Sequence, residues 1–213
     1  MDQITNKVKL TAGPSKEYIS VGDAKLQLRL DNSLEDSIIA RLIRASRTHT
    51  EKRIGRYIGE QTLQWKLPCF PSGSTIYFPN PPLTEVVKVS YKDEDGNTTV
   101  VYDPAASPAV DLGLFSIELD TEPGFIFLNP NETWPLVNLF PGLPVTFEFK
   151  AGLDLLSPEQ DDLIQGMMML LGHWFEHREA VVIGSIAQMN ALASALVPLG
   201  FDDQISPYIW YSG

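Results

Sequence analysis

The feature that most constrains how this chain folds is a change of periodicity along it. Residues 19–56 and 157–196 carry apolar side chains at helical spacing, and the stretch between them does not. From Gln61 to Lys150 the sequence breaks into short β-rich runs divided by Pro, Gly, Asn and Asp. The runs are Thr62–Leu67, Ser74–Phe78, Val86–Tyr91, Thr98–Tyr102, Phe115–Leu119, Gly124–Leu128 and Val145–Lys150. A chain written this way is expected to be α+β, with N- and C-terminal helices forming a helical core and a β-rich middle insertion. The expected organisation is a single domain over 1–213: helical at 17–58, β-rich at 61–150, helical at 157–197, and an extended C-terminal tail at 198–213.

Local signals set the expected element ends. Ser20-Val21-Gly22-Asp23 has capping-box spacing and opens a short amphipathic run with Ala24, Leu26, Leu28 and Leu30 as its apolar members; Leu26, Leu28 and Leu30 alternate as in a strand, and the cap favours helix. Asp31-Asn32-Ser33 breaks the chain, and Ser33 with Asp36 predicts the cap of a second helix. There Ile38, Ile39, Leu42, Ile43, Ser46, Thr50, Arg53, Ile54 and Tyr57 follow the 3.6-residue period, to an end near Arg56. Asp95-Gly96 predicts a hairpin closed by a type I′ turn. Asn129–Pro144, rich in proline, reads as a long ordered loop. Ser157-Pro158-Glu159-Gln160 combines a cap, an N1 proline and a capping-box glutamine. The following helix carries Leu163, Ile164, Met167, Met168, Leu170, Leu171, Trp174 and Phe175 on more than one face, so burial in the core or between subunits is expected. A further helix is expected at Ile186–Leu196, after the apolar link Ala180–Gly184.

Charge and cysteine content narrow the function classes. The chain has 213 residues and a formal net charge of −11. Residues 1–66 hold 12 Lys and Arg against 8 Asp and Glu, whereas residues 67–213 hold 4 against 19. So acidic a chain is a poor non-specific binder of nucleic acid. Cys69 is alone and cannot form an internal disulfide, which suits a reducing cytosol. Met1–Lys16 is polar and lacks a signal-peptide core, and the most apolar later segment, Met167–Leu171, is far shorter than the roughly 18 residues of a membrane span. A soluble protein without a membrane partner is expected.

Few motifs carry chemistry. His173-Trp174-Phe175-Glu176-His177 matches the H-x-x-E-H pattern of inverted zinc peptidases, in which two histidines one helical turn apart face one metal. Only Asp202 and Asp203 remain as acids beyond Glu179, so a third ligand is hard to find, and polar side chains at a helix end explain the match as well. Asp93-Glu94-Asp95-Gly96 is too short for a calcium loop. Phosphate-loop, dinucleotide and nucleophile-elbow patterns are absent from the sequence. No cofactor and no metal is expected.

Two segments suggest docking. Arg41, Arg44, Arg47, Lys52, Arg53 and Arg56 put a basic side on the second helix, which suits phosphate, an acidic neighbour or plain solvent. The tail Tyr208-Ile209-Trp210-Tyr211 is aromatic and suits either packing on its own domain or anchoring in a partner's pocket, with the partner preferred. Arg41, Arg44, Arg47, Tyr208, Ile209, Trp210 and Tyr211 are therefore the candidate partner-docking residues.

The order of segments resembles the head–tail connector (adaptor) family of long-tailed bacteriophages and prophages. The pieces are Ile19–Lys25, Glu51–Arg56, Gln61–Trp65, Phe78–Leu83, Val89–Gly96, Trp134-Pro135, Val145–Gly152 and His173–Ala180. They span most of residues 19–184, and Ala191–Gly213 lies outside the likeness. In that family the last piece reads His-Trp-aromatic-Glu before a polar residue and Arg-Glu-Ala, so the resemblance makes His177 a local variation. It implies a structural virion protein with no enzymatic activity, forming a ring, typically dodecameric, beneath the portal. Such a ring joins capsid to tail, binds the portal protein and a stopper or tail-completion protein, and passes double-stranded DNA without binding it specifically. Before assembly the subunit would sit in the host cytoplasm. The readings weighed against this are another neck or tail-completion protein, a zinc metallohydrolase using His173, Glu176 and His177, and a cytosolic binding module with no viral role.

Overall fold

The computed structural model describes residues 7–156, 160–177 and 200–210. The chain is α+β with antiparallel sheets and a β-rich middle, and it divides into two compact units. One comprises Met1–Ser15 with Gly59–Leu153, the other Lys16–Ile58 with Asp154–Gly213.

In the first unit, β1 (Lys7–Ala12), β2 (Gln61–Leu67), β4 (Leu83–Lys92), β5 (Thr98–Asp103), β6 (Val110–Asp111) and β9 (Val145–Ala151) form one sheet in the order β1-β2-β9-β4-β5-β6. Strict alternation decides which face is buried. Gln61, Leu63, Trp65 and Leu67 of β2 point inward, as do Val145, Phe147, Phe149 and Ala151 of β9. Phe147 meets Trp65 at 5.6 Å and Phe78 at 5.9 Å between ring centres, and Phe78 meets Phe149 at 4.9 Å. Each such aromatic contributes about 2–3 kcal/mol by burial alone. The β-rich unit thus has its own hydrophobic core, where the sequence assigned the core to the helices.

A smaller sheet, order β3-β8-β7, is made by β3 (Thr75–Tyr77), β7 (Phe115–Glu118) and β8 (Phe125–Leu128). Ile76 pairs with Ile126 on its buried face. The loop from Asn129 to Pro144 is pinned by Trp134, whose indole N–H donates to the Gly73 carbonyl at 2.9 Å and whose ring stacks on Phe70.

All seven expected strands form, with ends that coincide or shift by at most three residues. β1 and β6 were not anticipated, because both are edge strands held by backbone pairing. Residues 9–12 are exposed, so β1 leaves no apolar alternation to read. The hairpin between β4 and β5 is present, but its turn is not type I′. Gly96 N–H donates to the Asp93 carbonyl and only Gly96 has positive φ (85°), giving a type I turn completed by a left-handed glycine. Asp93 favours it by accepting the Asn97 backbone N–H at 2.8 Å.

In the second unit, α1 (Val21–Leu28) starts at the anticipated capping box: the Asp23 N–H donates to Ser20 Oγ at 3.0 Å and Ser20 N–H returns to the Asp23 carboxylate. α2 (Asp36–Ile54) begins two residues later than the Ser33 cap predicts, and its N-cap position, Glu35, makes no side-chain cap bond. The reason is that Asp36 spends its carboxylate on Lys25 of α1, at 3.0 Å, and Asn32 takes over the turn by accepting the Leu34 N–H. α2 buries Ile39, Ile43, Ser46, Thr50, Glu51 and Ile54. The two buried hydroxyls donate back to helix carbonyls, Ser46 to Ile43 and Thr50 to Ser46.

α3 (Asp161–Glu176) packs on α2 and α1, burying Leu163, Gly166, Met167, Leu170 and Leu171. A β-carbon at Gly166 would stand 3.3 Å from Gln204 Cβ, so glycine there lets α4 (Phe201–Ile205) approach. The cap expected at Ser157, the link at Ala180–Gly184 and the helix at Ile186–Leu196 lie outside the described residues.

The β-rich stretch begins and ends at one place. Gly59 N–H donates to the Leu153 carbonyl at 2.7 Å, and at Gly152 (φ 150°) a β-carbon would collide with the Gly59 carbonyl oxygen. Gly152→Ala is therefore expected to destabilise the protein by about 3 kcal/mol or more, read as a lower denaturation midpoint. Gly113→Ala, also at positive φ (66°) but with no atom near its new methyl, should cost only about 1 kcal/mol.

Candidate partner-docking surface

Six basic residues lie between Arg41 and Arg56, and the helical period sends them to different tasks. Arg47 turns inward. Its Nε donates to Glu17 at 2.9 Å and its Nη1 to Glu51 at 2.8 Å, and it is 12% exposed. Burial works against its charge, and the bonds to Glu17 and Glu51 outweigh that, so the guanidinium holds its proton more firmly than usual. Glu51 Oε1 also accepts the Ile58 backbone N–H at 3.0 Å, tying the end of α2 to the chain that follows it.

The C-terminal residues occupy two more cations. Arg53 pairs with Asp202 at 2.6 Å on the surface, and the Arg56 guanidinium lies 5.4 Å from the centre of the Trp210 ring. Trp210 N–H donates to the Ile54 carbonyl at 2.7 Å, satisfying one of the orphan carbonyls at the end of α2. Of the aromatic tail, Trp210 thus backs onto its own helix. Tyr208 and Ile209 are half-buried, and Tyr211 lies outside the described residues.

Arg41, Arg44 and Lys52 remain, exposed and without an ion pair among the described residues. With Thr48, His49 and Trp174 they line an open groove of about 500 Å³. The floor is aromatic: His49 meets Trp174 edge-on at 5.6 Å and buried Phe201 at 5.8 Å. The helical sequence put Arg41, Arg44 and Arg47 together, and the structure separates Arg47 from the other two. No sequence signal marked His49 and Trp174 as neighbours, because they meet only when α3 packs on α2.

The zinc-like pair does not form a ligand set. α3 ends at Glu176, His177 leaves the helix (φ −108°, ψ 63°), and its ring stacks on His173 with Nδ1 3.1 Å from the His173 carbonyl. Among the described residues no cluster of three or more His, Cys, Asp or Glu side chains is placed to hold a metal. No helix among them is long and apolar enough to cross a membrane.

Three outcomes are expected from this surface. Arg47→Ala leaves Glu51, 9% exposed, without its cation and should cost about 3 kcal/mol in chemical denaturation. Arg41→Ala should change stability by less than about 0.5 kcal/mol. Burial holds the His49 imidazole below its ordinary value of 6.5, with repulsion from Arg53 and Lys52 adding to this and Asp202 opposing it. The unfolded chain therefore takes up that proton first. His49 contributes stability that is present above pH 6.5 and is lost as the pH falls through its lower folded value. His49→Gln should flatten that part of a melting-temperature profile against pH.

No family model and no curated protein matches the chain. Solved structures do match it, nearly end to end. A chain in the "Neck of empty GTA particle computed with C6 symmetry" superposes with a TM-score of 0.71 at 18% identity, covering 97% of each chain. One in the "Neck of native GTA particle computed with C12 symmetry" gives 0.69 at 16%, again with 97% of each covered. One in the "Virion of native gene transfer agent (GTA) particle" gives 0.68 at 17%, covering 97% of this chain and 96% of that one. This chain therefore has the fold of proteins found in the necks and virions of gene transfer agent particles.

Proposed function

We propose that this protein is a structural neck component of a tailed phage or phage-like particle, a head–tail connector that forms a ring beneath the portal. The observation that carries the reading is the 97% coverage of both partners in the match to neck chains computed under C6 and C12 symmetry. The ordered sequence segments from Ile19 to Ala180 support the adaptor role in particular. Helices from both ends of the chain serve as the stiff core, the strand-rich stretch 61–150 bears contacts, and the chain as a whole works as one adaptor module. Its partners are further copies of itself, the portal protein, and a stopper or tail-completion protein. Double-stranded DNA passes through the ring without specific binding, as the net charge of −11 favours. Docking is assigned to Arg41 and Arg44 on α2 and to Tyr208, Ile209 and Tyr211 of the tail, with Arg47 and Trp210 instead holding that helix in place.

A stopper or tail-completion protein of the same neck is the competing reading. The long helices α2 and α3 weigh against it, since a β-dominated subunit is expected there. Cryo-electron imaging of intact particles tests the choice. Density for this chain should form a ring directly under the portal. Density lower in the neck would assign it to the rival role, and its absence from finished particles would overturn the neck reading.

A further inference from the structure

We propose that the basic groove on α2 is the docking site for the acidic β7–β8 turn, Glu118–Glu122, of a second copy of this chain. The inference deepens the neck-ring reading and rests on it for the closure of the ring, while the contact itself is argued from charge and from the apolar floor of the groove.

The two halves are written into one sequence. Residues 41–56 hold six Lys and Arg against one Glu, and residues 93–149 hold ten Asp and Glu with no Lys or Arg. Three of the cations, Arg41, Arg44 and Lys52, face the open groove of about 500 Å³ with no carboxylate on them among the described residues. Arg41 and Arg44, like charges three residues apart on one helix face, cost stability, and an anionic occupant relieves that cost. The turn between β7 and β8 supplies such an occupant. Leu119, Asp120, Thr121 and Glu122 are exposed in succession, and Glu118 bends its carboxylate back onto the Asp120 N–H at 3.1 Å. The turn also carries an apolar residue among its acids, Leu119, 40% exposed, and the groove has an aromatic floor at Trp174 and His49. A guanidinium and a carboxylate meet through paired, directional hydrogen bonds, so Arg41 and Arg44 set orientation as well as attraction.

A duplex phosphate backbone is the weaker occupant. It would approach a chain of net charge −11 and would leave the apolar part of the groove unfilled. A groove-to-turn contact is heterologous. Each copy that gives its turn still has an empty groove, so contacts propagate and end only when the rotation closes on itself.

The test uses the full chain at low salt, with self-association measured by sedimentation. Arg41→Glu/Arg44→Glu/Lys52→Glu should weaken association about tenfold or more, and Asp120→Arg/Glu122→Arg should do the same. The affected side chains are exposed, and circular dichroism checks that both variants keep the fold. If either fails to fold, the neutral Arg41→Gln/Arg44→Gln/Lys52→Gln variant replaces it, with a smaller loss expected. Mixing the two reversed variants should restore association between them, and added salt should weaken the wild type. A wild-type protein monomeric at its highest soluble concentration, reversals without effect, or a mixture that recovers nothing overturns the contact. So does a groove variant that loses duplex DNA binding and keeps self-association. Particle imaging stands apart from all of these: a ring in the neck built on other contacts would sink this inference alone, and a working charge swap in a protein missing from particles would sink only the neck reading.

Discussion

Everything in the β-rich unit hangs on a close backbone approach at its base. The chain enters at Gly59 and leaves at Gly152-Leu153, and the two passages touch without any side chain between them. That closure lets a stretch of some ninety residues supply every strand of the two sheets except β1, between α2 before it and α3 after it in the chain. The entropic cost of closing so long an excursion rises only slowly with its length, about 0.6 kcal/mol per doubling, so a long strand-rich excursion is tolerated once its ends are pinned. β9 returns to pair between β2 and β4, so the last strand of the excursion is central to the larger sheet and stitches its early part together. The order of strands in space therefore depends on the two ends meeting.

The helical unit solves a different problem, that of holding one helix whose sides have unlike duties. α2 must bury an apolar stripe, end sharply and still present cations. Glu51 links these demands. Its carboxylate receives Arg47 from one turn earlier and the Ile58 N–H from beyond the helix end, so one buried charge orders both the helix and its exit. An unpaired carboxylate there would be costly, which explains why Arg47, 12% exposed, faces it. The remaining cations are then free to serve contacts that the fold itself does not need. Trp210 adds a second clasp at the same end, through its N–H to Ile54 and its ring beneath Arg56.

A shared fold at 16–18% identity fits this division of labour. What must persist for such a fold is the alternation within strands, the apolar stripe of each helix and the few backbone positions that only glycine suits. Surface residues are under no such demand, so the charge pattern can differ widely among chains that share the fold.

Periodicity in the sequence determined the α+β class, the position of the β-rich middle, seven of the strands and the capping box at Ser20. These rest on contacts within a few residues, where spacing alone says which atoms meet. Tertiary packing decided the rest. Asp36 was drawn from its cap to Lys25, which moved the start of α2. β1 formed on backbone hydrogen bonds that leave no apolar signature. Phe147 and Phe149 gave the sheets a core of their own, through neighbours far away in the chain. The basic side of α2 was only half legible: the run of cations is visible in the letters, but whether a given arginine meets a buried glutamate or open water depends on which way the packed helix is turned. The groove floor of His49 and Trp174 exists only because two helices more than a hundred residues apart lie side by side.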